Sequence, residues 1–285
     1  MIDTILRKNL RLKWAIRKWL RSSSIEEEIP SPAINYNQSP TLTVEKYIRH
    51  FKENACLKEL PFLVDHAELD IESTLFDYGC GLGRLAYAAS KYLGTKGRYI
   101  GFEPNQDALK FLNGAYLPHR NFEFHGVELR LEEDYVALEH GARRVDGMRS
   151  MDIDLEKIVR SQVDVQYSSS VFTHMWLDAI EKTLSSFSRI VKPTGYCVNT
   201  WLIVDDFAAY TLKCELADRK LPYVVNGAMT YSEYNPLVCT AYRLNDVLAR
   251  YARAGHEIVG IFWGSWSGRE NGAHYQDIVV SRVRQ

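Results

Sequence analysis

From Thr74 onward, short apolar runs of strand character alternate with segments of helical periodicity, and that alternation restricts the fold more than any other property of the chain. The runs are Thr74–Tyr78, Arg98–Phe102, 121–124, Val163–Ser168, 195–204, 257–263 and 275–280. Helical segments at 84–93, 106–116 and 177–191 separate the early ones. Strands alternating with helices predict an open α/β sheet, mostly parallel and covered on both faces. Only a loop rich in Gly and Ser, residues 264–272, joins the last two runs, so they are expected to pair antiparallel as a hairpin.

The 285 residues, 46% apolar and 25% charged, are enough to bury a full core, and they fit one large domain with additions. A net charge of −1 hides an asymmetry, because residues 1–21 carry seven Lys or Arg against the single Asp3. The rest of the chain is therefore acidic, which argues against a nucleic-acid partner. Cys56, Cys80, Cys197, Cys214 and Cys239 are odd in number and lack metal-ligand spacing, so neither a disulfide framework nor a metal is expected, and the compartment reads as reducing and cytoplasmic. No apolar run approaches the roughly 20 residues that span a bilayer.

Residues 1–21 form a basic amphipathic pattern. Ile2, Ile5, Leu6, Leu12, Ile16, Trp19 and Leu20 share one face, with Arg7, Lys8, Arg11, Arg17, Lys18 and Arg21 opposite. Such a helix suits the surface of an anionic membrane as a peripheral contact. It equally suits packing on the body of the protein or on a second subunit, or a cleaved targeting peptide. Residues 22–40, with Pro30, Pro32 and Pro40, read as a linker. The main domain then covers 41–285, with a helical cap at 41–73 and an insertion at 205–242. In the cap, Thr41 or Thr43 is expected to start a helix reaching about Leu57, and a second helix is expected over 62–69.

The first strand runs into Asp77-Tyr78-Gly79-Cys80-Gly81-Leu82-Gly83, and a helix follows. Glycines allow a tight turn and leave no side chain between the loop and a ligand, while a helix start offers free N–H groups and partial positive charge. This is a cradle for a nucleotide-like molecule. The second strand ends at Glu103, 20 residues after Gly83, where a carboxylate can accept hydrogen bonds from two ribose hydroxyls and Pro104 or Asn105 can lie against a base. Residues 81–86 also fit the G-x-G-x-x-A form of the dinucleotide fingerprint, which keeps an NADP-dependent oxidoreductase open as an alternative. Asp77 before the first glycine counts against it, since its charge would repel a pyrophosphate.

Asp77, Gly79, Cys80, Gly81 and Gly83, followed by Glu103, resemble the first two motifs of class I S-adenosylmethionine-dependent methyltransferases. Residues 163–174 are similar to that family's fourth-strand motif and the loop after it, and residues 190–198 to its helix-turn-strand motif, with Thr194 in place of a glycine. The resemblance covers residues 70–285 and implies S-adenosylmethionine as cofactor and a Rossmann-like seven-stranded sheet of order 3-2-1-4-5-7-6. By motif position it also implies cofactor contacts from Asp77, Gly79, Cys80, Gly81, Gly83, Glu103 and Pro104, with Glu128 and Ser170 as further candidates. The C-terminal pattern and the loop at 170–174 resemble the bacterial branch acting on glycans and natural products.

In-line methyl transfer to a hydroxyl needs alignment and a base that titrates near neutrality. His174, just after the fourth strand, is the candidate base, and a histidine that merely holds its loop is the competing reading. Phe172 and Trp176 are candidate pocket walls. So are the tyrosines of the insertion (Tyr210, Tyr223, Tyr231, Tyr234 and Tyr242) and the hairpin-loop residues Trp263, Trp266 and Arg269. The expected activity is O-methylation of a glycan or small hydroxylated metabolite, and a catalytically silent adaptor of the same fold is the third alternative.

Overall fold

The computed structural model describes residues 28–30, 43–126 and 154–284. The basic helix at 1–21, most of the linker and Glu128 lie outside the described residues. Described strands β1 (Thr74–Tyr78), β2 (Arg98–Phe102), β3 (Phe122–His125), β4 (Val163–Ser168), β5 (Val191–Trp201), β10 (His256–Phe262) and β11 (Asp277–Val283) form one sheet. Their order is β10-β11-β5-β4-β1-β2-β3. Counted within this sheet alone, that is the expected 3-2-1-4-5-7-6. β1 and β2, and β2 and β3, pair in parallel, whereas β11 runs antiparallel to both β5 and β10, so the C-terminal hairpin is present. Among the described residues no helix is long and apolar enough to cross a membrane.

The described chain divides into two compact units. The first takes residues 28–30, 43–126 and Val163–Val165. Its cap departs from the expected pair of helices: α1 (Val44–Glu53), a π-helical segment (Asn54–Glu59) and α2 (Leu60–His66) make one continuous run. Thr43 caps its start, its side chain accepting the Lys46 N–H at 3.3 Å. Asn54 Nδ2 donates to the His50 carbonyl at 2.9 Å, the same oxygen that accepts the Asn54 N–H, where the pitch widens. Polar capping thus sets the first boundary, while the second expected boundary vanishes because Ala55, Cys56, Leu60 and Leu63 are all buried along one uninterrupted side. Helices α3 (Arg84–Tyr92) and α4 (Gln106–Ala115) follow β1 and β2, and Phe51 of the cap packs edge-on against Tyr87 of α3 at 6.0 Å.

The second unit takes residues 154–162 and 166–284. Here α5 (Leu155–Ile158) precedes β4, and α6 (Leu177–Ile190) buries Ile180, Leu184 and Phe187 at helical spacing. The strand expected over 195–204 is two strands in different sheets. β5 ends at Trp201 and β6 (Ile203–Val204) joins a small second sheet, in which it neighbours β9 (Thr240–Arg243), followed by β8 (Ala228–Thr230) and β7 (Tyr223–Val225). The divergence has a cause: the buried Asp277 carboxylate captures the Ile203 N–H at 2.7 Å, drawing the backbone out of the large sheet. The insertion is therefore folded, with α7 (Asp206–Lys213), β7 (Tyr223–Val225), β8 (Ala228–Thr230) and β9 (Thr240–Arg243). Its core gathers Leu202, Val204, Ala208, Leu221, Cys239, Ala241 and Trp266. Helix α8 (Leu244–Arg253) then leads into β10.

Candidate functional site

In the first unit, β1 delivers Asp77 to a turn whose three glycines all have positive φ: 82° at Gly79, 54° at Gly81 and 81° at Gly83. The Gly79 and Cys80 N–H groups both donate to the Phe102 carbonyl, at 2.8 and 3.0 Å, which ties the turn to the end of β2. One residue on, the Glu103 carboxylate accepts the Gly81 N–H at 2.8 Å and the Asn105 N–H at 3.0 Å. A Cβ at Gly83 would lie 2.6 Å from Leu112 Cδ2, so that glycine is required by packing as well as by φ. At Gly81 a Cβ would meet nothing within 4 Å, so the turn is open on that side. Gly83 caps α3 with no side-chain hydrogen bond, leaving the first N–H groups of the helix to a ligand.

Asp77 is buried, and its Oδ2 accepts the Tyr99 hydroxyl at 2.5 Å. Burial raises its pKa to about 7; the Tyr99 bond and Arg84 oppose the rise, and the carboxylates of Glu59 and Glu103 add to it. Burial also raises the pKa of Glu103, against the pull of its two backbone N–H bonds. Glu59, from the π-helical segment, forms an ion pair with Arg84 at the start of α3. The cradle thus gathers three acidic side chains and one guanidinium, an arrangement suited to a cationic ligand. Cys80 is buried with its thiol pKa raised by burial, and its Sγ lies where a Cβ on Gly101 would approach to 2.9 Å.

In the second unit, β4 leads into a 3₁₀ turn at Phe172–His174. His174 Nδ1 lies 2.9 Å from the Leu237 carbonyl. A carbonyl only accepts, so Nδ1 carries the proton and Nε2 keeps its lone pair. The residue is exposed as a whole, yet desolvation by the surrounding protein, with help from the charge of Arg219, lowers its pKa. The Leu237 bond opposes that shift. Two more bonds stitch the same turn to β9: Thr240 Oγ1 donates to the Thr173 carbonyl at 3.0 Å and Tyr242 Oη to the Met175 carbonyl at 2.7 Å. Ser170, at φ 59°, is held in this unusual conformation by its N–H donating to Thr200 Oγ1 at 2.7 Å and its hydroxyl to Gln276 Oε1 at 3.2 Å.

Several expected wall residues are core residues instead. Phe172 is fully buried with its ring edge-on to Trp201 at 4.8 Å, and Tyr242 is buried against the same indole. Trp266 is buried with its N–H donating to Asp277 Oδ2 at 2.7 Å. Arg269 pairs with Asp205 and lies 4.5 Å over both Phe207 and Trp263, so it braces the hairpin loop. Tyr210, Tyr223, Tyr231 and Tyr234 are exposed.

Residues 76–199 match the family described as a methyltransferase domain. The match begins on β1 and takes in the glycine turn and Glu103. Residues 76–199 thus carry a methyltransferase domain, set in a sheet with the strand order of the class I S-adenosylmethionine-dependent fold. The fold of the chain is similar to that of Streptomyces venezuelae DesVI, at 17% identity over 84% of this chain and 95% of that one, with a TM-score of 0.50. CcbJ methyltransferase from Streptomyces caelestis is 12% identical over 79% of this chain and 87% of that one, TM-score 0.48. A TehB-like S-adenosylmethionine-dependent methyltransferase from Corynebacterium glutamicum is 13% identical over 85% and 97%, TM-score 0.46.

The cofactor of this methyltransferase is S-adenosylmethionine, and the cradle fits it: an uncapped helix start, an open face at Gly81, and carboxylates gathered at the turn whose charge suits a cation. The Glu103 carboxylate opposes the extra phosphate of NADP, which removes support for the oxidoreductase alternative. Asp77, Gly79, Cys80, Gly81, Gly83 and Glu103 come together here, with Pro104 directly after Glu103, whereas Ser170 and His174 belong to the second unit. Among the described residues no cluster of three His, Cys, Asp or Glu could hold a metal ion. Sequence reasoning missed Tyr99, Glu59 and Arg84. Tyr99 was accessible in principle, since parallel pairing of Asp77 with Gly101 puts Tyr99 on the diagonal to Asp77.

Proposed function

We propose that this methyltransferase transfers a methyl group to a hydroxyl oxygen of a small metabolite or glycan, with His174 as the base on the acceptor side. The observation that carries this reading is the Nδ1 bond to the Leu237 carbonyl, which fixes the tautomer and presents a basic Nε2. When bound, S-adenosylmethionine would supply an electrophilic methyl on a sulfonium, whose sulfur keeps the electron pair of the broken bond. Nε2 of His174 takes the proton that the attacking hydroxyl sheds. A lowered pKa keeps the ring neutral, and so able to accept that proton, at neutral pH.

On the cofactor side, Glu103 would hold the ribose hydroxyls, Gly79, Gly81 and Gly83 would let the backbone approach the ligand, and Cys80 and Pro104 would line the same turn. Asp77 sets negative charge against the cationic methionyl portion. The test uses two measurements on one preparation. Calorimetric titration with S-adenosylhomocysteine should give saturable binding that Glu103→Ala weakens. Labelled S-adenosylmethionine offered to a fractionated cell extract should then deliver label to small molecules or glycans as an ether that survives mild base. Label confined to protein or nucleic acid sinks the acceptor assignment.

A further inference from the structure

We propose that Gln276 and Ser170 form a donor–acceptor pair that reads a second hydroxyl of the acceptor, so that the acceptor is a diol or polyol and not an isolated alcohol or phenol. This deepens the O-methylation reading, with the His174 turn as acceptor side, and rests on it. Gln276, Thr200 and Ser170 meet in the second unit where β4 and β5 end and β11 begins. The register pairs Ile278 with Thr200 and Asp277 with Trp201, which leaves Gln276 just beyond the last rung. In an open α/β sheet this edge, past the carboxyl ends of the strands, is where ligands bind. Ser170 opens the turn that carries His174: its carbonyl accepts the Thr173 hydroxyl at 3.4 Å, and the His174 N–H donates to the Val171 carbonyl at 2.9 Å.

The Ser170 N–H donates to Thr200 Oγ1 at 2.7 Å, the Thr200 hydroxyl donates to Gln276 Oε1 at 2.6 Å, and the Ser170 hydroxyl donates to the same oxygen at 3.2 Å. A separation of 2.6 Å is an O–H···O length and short for N–H···O, so the amide oxygen is the atom that faces the hydroxyls. Both N–H donors on Gln276 Nε2 are left over, and among the described residues no acceptor takes them. Ser170 Oγ, with its proton directed at Gln276, keeps its lone pairs and lies on an exposed residue. A half-buried amide donor beside an exposed oxygen acceptor complements a group that accepts and donates at once. A hydroxyl does both, whereas a carbonyl only accepts and an ammonium only donates. The backbone of Ser170 points the same way. At φ 59° it adopts a conformation that glycine would take without strain, so what a serine supplies there is Oγ.

The experiment follows labelled methyl from S-adenosylmethionine into a cell extract for the full chain and for Ser170→Gly and Gln276→Met. The isolated product, treated with acetic anhydride, should gain at least one acetyl group that mild base removes, the mark of a hydroxyl left free beside the base-stable ether. Ser170→Gly keeps the turn and removes only the acceptor oxygen, and it should raise KM for the labelled acceptor fraction about 3- to 10-fold, as expected for one neutral hydrogen bond. Its kcat should stay within about twofold, with S-adenosylhomocysteine binding and melting temperature unchanged. Gln276→Met removes the amide donors and should raise KM to a similar extent. An unchanged KM in Ser170→Gly, a fall in kcat alone in Gln276→Met, weakened S-adenosylhomocysteine binding by Ser170→Gly, or a product with no free hydroxyl overturns the proposal. Absence of label from every fraction while S-adenosylhomocysteine still binds overturns the transfer reading and this proposal with it, a failure distinct from a labelled product that lacks a free hydroxyl.

Discussion

The glycine cradle of the first unit and the His174 turn of the second are built by opposite means. The cradle is backbone: N–H groups of Gly79, Cys80 and Gly81 pair with a carbonyl and a carboxylate at the end of the next strand, and glycines are present because other residues could not follow the path. The His174 turn is held from far along the chain, by bonds to Leu237, Thr240 and Tyr242 that span 63 to 67 residues. A cofactor common to a family suits the first construction. An acceptor that differs between members suits the second, because the insertion can change without disturbing the turn after β1.

If the two regions are separable in function, substitutions should sort cleanly. The largest effect is expected at His174→Gln, which keeps a similar size and removes the proposed base. Loss of general-base catalysis typically costs about 10²- to 10⁴-fold in kcat, with S-adenosylhomocysteine affinity unchanged by calorimetry. A comparable loss of cofactor affinity in this variant would break the comparison. The converse is expected at Glu103→Ala, where two hydrogen bonds to a charged group, worth about 3 kcal/mol together, correspond to roughly 100-fold weaker cofactor binding. Residual turnover at saturating cofactor should then stay close to that of the unaltered protein.

The same contrast explains what was legible in the sequence. The alternation of strands and helices could be read because period and glycine spacing are local signals, the order of the large sheet was implied by the family resemblance, and Asp77 and Glu103 could be read because each lies next to the end of a strand. The π-helical segment could not be foreseen, since Asn54–Glu59 contains no Gly or Pro and Asn54 itself keeps right-handed helical φ and ψ. The split of β5 from β6 depends on Asp277, 74 residues away from Ile203, and nothing near residue 202 announces it. Tyr242 and Trp266 appeared as pocket aromatics because the sequence records their type and not their burial. Leu237 could not be found at all, because its contribution is a main-chain carbonyl.

Protonation offers a sharper test within the cradle. Asp77 titrates near 7 in the folded protein, above its unfolded value, so the folded state holds the proton more tightly. Its contribution to stability is then fully present below about pH 4 and is lost as pH rises through about 7. Asp77→Asn removes that loss, on the order of 4 kcal/mol at pH 8, and should raise the melting temperature there while weakening cofactor binding. Melting curves from pH 4 to 8 check it, and a residual slope from Asp277, raised by burial to about 6, should persist in the variant. An Asp77→Asn protein no more stable than the parent at pH 8 would falsify the burial-driven shift.

The smallest predicted effect tests the link between the insertion and the base. Burial lifts the Tyr242 phenol pKa to about 12, so its hydroxyl remains a donor to the Met175 carbonyl at any working pH. Tyr242→Phe keeps the ring against Trp201 and removes that one bond, with an expected loss of about 1 kcal/mol and a fall of roughly 2–4 °C in melting temperature. If the insertion positions His174, kcat should drop a few-fold as well, because the turn carrying the imidazole loses one of its three ties. Cofactor affinity should be indifferent to the change. A stability loss with unchanged kcat would make Tyr242 a packing residue only and leave the Leu237 and Thr240 bonds as the ties that matter.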